Sequence, residues 1–273
     1  DELIPFLHES LDDEDEVLLA LAEELGTGLV EYIGGPKFAH LLLGPLENLA
    51  VVEETVVREK ACDSINQLAG IMSDQQIQNF YLPLLHRLSS GEWFTSRTSA
   101  ALLFASVYEK IPLSMRADVH SMFVSLCTDE TPMVRRAAAR DMSALVKRMS
   151  PEVVINEMLP LYRRLSADDQ DSVRLLTVQN LVAMAKVLSP AETQQLLLSS
   201  ICGAFQDKSW RVRYMAADNF VQLATAVGED VVKEDLVPAY INLMRDAEAE
   251  VRTAAATQLP GLAKLLDQNT IIE

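Results

Sequence analysis

The stretch DETPMVRRAAA (Asp129–Ala139) returns in the same frame as DDQDSVRLLTV (168–178), DKSWRVRYMAA (207–217) and DAEAEVRTAAA (246–256). Its valines, Val134, Val173, Val212 and Val251, stand 39 residues apart. Stepping back by the same interval reaches Thr95, Val56 and Val17, so all seven positions are β-branched. Five residues further on, the column reads Ala22, Ala61, Ala100, Ala139, Val178, Ala217 and Ala256. A fixed period of this length is the mark of a repeat architecture.

Each period reads as two helices. The first carries an apolar run, with a proline expected in its first turn at Pro5, Pro45, Pro83, Pro160 and Pro238, where a missing N–H costs nothing. The second opens near the column valine and continues at helical spacing, as in Val134, Ala138, Met142 and Leu145. Breakers such as GGPK (34–37), SDQQ (73–76) and SPAE (189–192) separate the periods, and no alternating run reads as a strand. GTG (26–28) and Gly34-Gly35 are expected to cap helix ends in the left-handed conformation. Helix pairs this short bury a core only by stacking, so the expected fold is an all-α solenoid. It forms one domain over 1–273, with repeats at about 1–36, 37–75, 76–113, 114–151, 152–189, 190–229 and 230–273.

The period chooses among solenoids: about 40 residues in two helices fits HEAT repeats, whereas tetratricopeptide and ankyrin units are shorter. Two polar columns agree. Asp12, Asp129, Asp168, Asp207 and Asp246 precede the β-branched column by five residues, and Arg135, Arg174, Arg213 and Arg252 follow it by one. Aspartate near a helix start satisfies free N–H groups, and a guanidinium fork can reach the next repeat's carboxylate. This resembles the HEAT signature and implies a structural ladder over Asp129, Arg135, Asp168, Arg174, Asp207, Arg213, Asp246 and Arg252.

Composition narrows the partners. A net charge of −17 opposes nucleic acid and anionic membranes and favours partners with basic faces. No apolar run approaches the ~20 residues of a membrane span. DELIPFLHESLDDEDE (1–16) lacks the basic start of a signal peptide, and its opening inside a patterned segment is expected of a fragment. The odd, scattered Cys62, Cys127 and Cys202 suit a reduced, intracellular protein. The cytoplasm is the expected location, with the nucleus second. His8, His40, His86 and His120 never pair at metal-ligand spacing, DDEDE (12–16) lacks a calcium-loop pattern, and no nucleotide or nucleophile motif is present. No catalytic residue, metal or cofactor is expected.

What varies is the turn inside each repeat. Two residues before the β-branched column stand Asp15, Glu54, Trp93, Pro132, Asp171, Trp210 and Ala249, which places both tryptophans in one column. At about 100° per residue Trp210 points away from Val212. An exposed contact residue is the preferred reading, and cover by a neighbouring repeat is the other. Stacked turns would form a ridge with acids at Glu14, Glu53, Glu92, Glu130, Asp169 and Glu248. Trp93, Phe94, Pro132, Met133 and Trp210 would be its apolar anchors, and Arg97, Arg136 and Arg211 its donors.

The turns carry a more specific resemblance. DEDEVLLALAEELG, GGPKFAHLLLGPLENLAVVEETVVREKA, GEWFTSRTSA, DETPMVRRAAA, DQDSVRLL, DKSWRVRYMAADNF and DLVPAYINLMRDAEAEVRTAAA are similar to the scaffold (A-type) subunits of protein phosphatase 2A. INQLAGIMSDQQ and KRMSPEVVINEM diverge from that family, and LPGLAKLLDQNTIIE follows it loosely. The resemblance implies a non-catalytic scaffold covering roughly the second to eighth repeats of about fifteen. These bind regulatory (B-type) subunits through the turns, while the catalytic subunit docks on later repeats. The implied partner contacts are Glu53, Glu54, Trp93, Phe94, Glu130, Pro132, Met133, Arg136, Ser209, Trp210 and Arg211. An importin-like transport receptor is the alternative, and an enzyme on an α/α frame lacks the inward acids or histidines it would need.

Overall fold

The computed structural model describes residues 3–9 and 13–266, which divide into two compact units, Asp1–Asp141 and Met142–Glu273. All regular structure among the described residues is helical. In the first unit the second helices Asp15–Gly26, Thr55–Ile71 and Phe94–Ala101 lie side by side, while the first helices Leu43–Leu49, Leu82–Ser89 and Leu113–Cys127 form the other layer. In the second unit Asp171–Val187, Trp210–Asp218 and Ala249–Ala263 make one layer, and Pro190–Phe205 packs on Val237–Met244 in the other.

The core lies between the layers. Leu42, Leu46, Leu49, Ile65, Leu68, Ile77 and Leu84 are buried in the first unit, alongside an edge-to-face pair, Phe104 and Phe123, at 5.2 Å. In the second unit Phe220 is sandwiched by Phe205 and Tyr240, both at 4.9 Å. Each such side chain contributes about 1.5–3 kcal/mol by leaving water. Ala22, Ala61, Ala100, Ala139, Val178 and Ala217 are fully buried, so small side chains let the second helices approach. Ala256 is exposed and the preceding Ala255 takes the buried place.

Three sequence expectations need correction. Pro83, Pro160 and Pro238 do stand in the first turn of Leu82–Ser89, Leu159–Ser166 and Val237–Met244, but these helices are not free starts. Each follows a wide turn, at Ile77–Tyr81, Val154–Met158 and Val232–Leu236. There the residue before the proline donates to a carbonyl five residues back: Leu82 to Ile77, Leu159 to Val154 and Val237 to Val232. A proline inside a helix lacks its N–H and its ring collides with the carbonyl four residues back, and widening the turn by one residue relieves that collision. Pro190–Phe205 and Leu113–Cys127 have no interior proline and run uninterrupted.

The glycines also divide. Gly34 and Gly35 have φ of 104° and 81°, the left-handed region, but no positive φ occurs at Gly26 or Gly28. Gly26 serves close packing instead: a Cβ there would lie 2.3 Å from Ser64 Oγ, which donates to the Ala22 carbonyl.

The third correction concerns register. Val17 and Val56 are 40% and 56% exposed, whereas the next residues, Leu18 and Val57, are buried. In the third repeat Ser96 is buried one place after Thr95, whose hydroxyl donates to the Val51 carbonyl. The early repeats are therefore offset by one residue, because 38 residues and not 39 separate Arg97 from Arg135.

A feature with no repeat signature locks one helix end. Lys110 Nζ donates to the Ala69, Gly70 and Met72 carbonyls at 2.6, 3.1 and 2.9 Å, closing the C-terminus of Thr55–Ile71 with positive charge. Lys110→Ala is expected to lower the melting temperature by several degrees, about 1–2 kcal/mol, as read by a thermal scan.

Candidate partner-binding turns

The intra-repeat turns at Asp129, Asp207 and Asp246 are fixed from three sides. Asp129, Asp168, Asp207 and Asp246 accept from the N–H two residues on, at Thr131, Gln170, Ser209 and Glu248, over 2.7–3.0 Å. The arginine six residues later donates through Nη1 to the turn's own carbonyls. Arg135 reaches Asp129 and Glu130, Arg174 reaches Asp168 and Asp169, and Arg252 reaches Asp246 and Ala247. The fork's other edge then grips the following turn. Arg174 Nε and Nη2 both lie 2.9 Å from the Asp207 carboxylate, and Arg213 lies 2.6 and 2.8 Å from Asp246.

The offset register adds residues to this frame. Arg97, expected as a ridge donor, instead clamps the Gly91 and Glu92 carbonyls and pairs with Asp129 at 2.6 Å, its side chain 15% exposed. Arg58 grips the Val52 and Glu53 carbonyls in the same way. The 38-residue step between Arg97 and Arg135 was the signal for both. Asp12, assigned to the aspartate column, lies outside the described residues. Burial opposes ionisation of Asp129 and Asp207, but hydrogen bonds from Arg97 and Arg174 outweigh it and hold both carboxyls below the usual range. At Asp246 the Arg213 hydrogen bonds dominate, with the same result.

The two tryptophans do not share a column. Trp93 is the N-cap of Phe94–Ala101, whereas Trp210 is the first residue of Trp210–Asp218, whose N-cap is Ser209. The structural equivalents of Trp210 are Phe94 and Pro132, each the first residue of its helix. Both positions face outward: Trp93 is 74% exposed, Phe94 42% and Trp210 39%. Met133 is half exposed, and Glu53, Glu130, Pro132, Arg136 and Arg211 are exposed as well.

The remaining two residues are engaged within the chain. Glu54 caps its own helix by accepting from Val56 N–H at 3.2 Å. Ser209 Oγ donates to Asp171 Oδ2 at 2.8 Å, joining neighbouring turns of the second unit. In the first unit the second-helix starts of three repeats come together, since Thr55, Thr98, Met133 and Arg136 line one cavity. The first unit thus gathers Glu53, Glu54, Trp93, Phe94, Glu130, Pro132, Met133 and Arg136, and the second Ser209, Trp210 and Arg211.

Among the described residues no group of three or more histidine, cysteine, aspartate or glutamate side chains could hold a metal ion. His40 stacks on Phe80 at 4.2 Å and meets Gln76 Nε2. Burial pushes the Cys62 thiol up to about 12. This chemistry belongs to packing, and what the turns offer is a surface.

Comparison with known proteins bears on the repeats. The HEAT repeat family matches residues 197–227, and the family described as PPP2R1A-like HEAT repeat matches 229–273. The chain superimposes on Kap121p with TM-score 0.74 at 14% identity, over 99% of this chain and 30% of that one, a likeness of fold. The molecule is an all-α solenoid of HEAT repeats.

The curated relatives are more specific. The A-type regulatory subunit of protein phosphatase PP2A from Schizosaccharomyces pombe is 50% identical over 167 residues, 61% of this chain and 28% of its own length. The 65 kDa regulatory subunit of protein phosphatase PP2A from Drosophila melanogaster is 51% identical over 151 residues, 55% and 25% of the respective lengths. The protein phosphatase 2A scaffold subunit of Dictyostelium discoideum is 47% identical over 162 residues, 59% and 28%. These relatives are named as regulatory or scaffold subunits of protein phosphatase 2A, and each matches between 55% and 61% of this chain. The matched stretch spans less than a third of these relatives' length.

Proposed function

We propose that this chain holds a regulatory (B-type) subunit of protein phosphatase 2A on the outward residues of its intra-repeat turns. In this reading the catalytic subunit docks on other repeats of a longer scaffold, and the scaffold fixes the distance between the two. Its place of action is the cytoplasm, with the nucleus second. The observation that carries the reading is the pairing of rigid turns with exposed apolar tips. Arginine and aspartate fix the backbone, and Trp93, Phe94, Met133 and Trp210 stand out from it. Aromatic anchors ringed by charge are the composition of binding hot spots, and a preordered turn loses little entropy on association.

Pro132→Arg tests it. The residue is exposed at the first position of its helix, so a bulky cation there leaves the core untouched but obstructs the surface. The variant is expected to co-purify with far less of the B-type subunit while its melting temperature stays unchanged. Undiminished co-purification would refute the assignment of this turn.

A further inference from the structure

The arginine ladder has a gap. Asp129, Asp207 and Asp246 each face the arginine of the preceding turn, but the third repeat carries Gly91 at the equivalent position. Side chains are sterically barred there, because a Cβ on Gly91 would lie 2.4 Å from Ser96 Oγ. Arg58, the arginine that precedes this turn, is 8% exposed and donates only to the Val52 and Glu53 carbonyls and to Thr55 Oγ1. Among the described residues no carboxylate forms an ion pair with it. A buried guanidinium without a counter-ion is costly, and Arg97, Arg174 and Arg213 avoid that cost by pairing with Asp129, Asp207 and Asp246.

Arg58 lines a cavity of about 100 Å³ between the second helices of three successive repeats of the first unit. Ser99 lines the same cavity, and its hydroxyl is buried with no hydrogen-bond partner among the described residues. Arg136 adds an exposed guanidinium that makes no hydrogen bond or ion pair with any described residue. Glu59 and Arg140 close one side by pairing at 3.1 Å, and Arg140 also meets Asp141 at 3.2 Å, so these charges are spent on one another. Leu102, Ala137 and Met133 supply the apolar wall. In a chain of net charge −17 this hollow concentrates unspent positive charge and an unspent hydroxyl.

We propose that the cavity is an oxyanion site, sized for one carboxylate or phosphoryl group. The group supplies the counter-ion that Gly91 cannot, and it accepts from Ser99 Oγ and the Arg136 fork. The cavity's volume suits one side-chain terminus and no larger cofactor. If the proposed function holds, on which this last step rests, the group is carried on a side chain of the bound B-type partner and anchors it beside Trp93 and Met133.

The test needs no partner protein, so its failure is distinct from failure of the proposed function. Methyl signals of Leu102 and Met133 are followed by NMR while sodium phosphate or sodium acetate is added, against sodium chloride at equal ionic strength. Saturable shifts in the millimolar range are expected with at least one oxyanion. Ser99→Ala and Arg136→Ala should each weaken the response by about tenfold. A stronger response to phosphate assigns the site to phosphorylated side chains, and a stronger response to acetate assigns it to aspartate or glutamate. Shifts equal to those with chloride, or shifts unchanged in both variants, would overturn the proposal.

Discussion

Arg174→Met is expected to lower the unfolding free energy by about 3 kcal/mol or more, the largest stability effect of any single ladder substitution. Arg174 is the most enclosed of the paired arginines, its side chain 5% exposed against 14% for Asp207. Methionine keeps the apolar stem but removes two bonds to the Asp207 carboxylate and two to the Asp168 and Asp169 carbonyls. What remains is a largely buried carboxylate with no counter-ion, and an unpaired buried charge costs more than the pair contributed.

The pH dependence identifies the cause. The folded Asp207 carboxyl titrates below its unfolded value of about 3.9. Its contribution is therefore present above about pH 4 and lost as pH falls through the lower folded value. Denaturant curves should show a wide gap between Arg174→Met and wild type at pH 7, closing below about pH 4. A gap independent of pH would mean that packing, and not charge, was removed.

The frame behind this prediction was largely legible in the sequence. Repetition exposes what every repeat needs, and the aspartate, valine and arginine columns of the later repeats are such needs. The early repeats were misplaced because stepping by a constant interval passes over a one-residue deletion. Val17 and Val56 satisfied a β-branched column by chance, since burial in space is invisible to a period. A rigid interval therefore promoted Arg97 to a surface donor and put Trp93 beside Trp210. Aligning on the arginine that clamps each turn, and not on the valine, repairs all of this. The wide turns before Pro83, Pro160 and Pro238 had no comparable signal, because an apolar run with a proline reads alike at a helix start and inside a helix. Lys110 and the Ser209–Asp171 bond join different repeats once only, and single contacts leave no period.

Trp210→Ala is the second large effect, and it falls on binding. Trp210 opens its helix at a turn held by Arg213 and Asp207, so the side chain is presented from a fixed backbone. At 39% exposure it has a supported base and a free face, the usual condition of an interface anchor. Truncation should weaken B-type subunit binding by about 2 kcal/mol, roughly 30-fold. Unfolding free energy should change by less than about 1 kcal/mol, because Val212, Ala216 and Ala217 retain the buried face of that helix. A melting transition lost together with binding would return Trp210 to the core. Trp93, at 74% exposure, should show the same separation more cleanly.

The most direct test of the account measures, by calorimetry, the affinity of this chain for a purified B-type regulatory subunit of protein phosphatase 2A. The comparison is the triple variant Trp93→Ala, Pro132→Arg, Trp210→Ala, with circular dichroism confirming an unchanged helix content. The account predicts saturable one-to-one binding by the wild type and none detectable by the folded triple variant. Equal binding by the folded variant would contradict it.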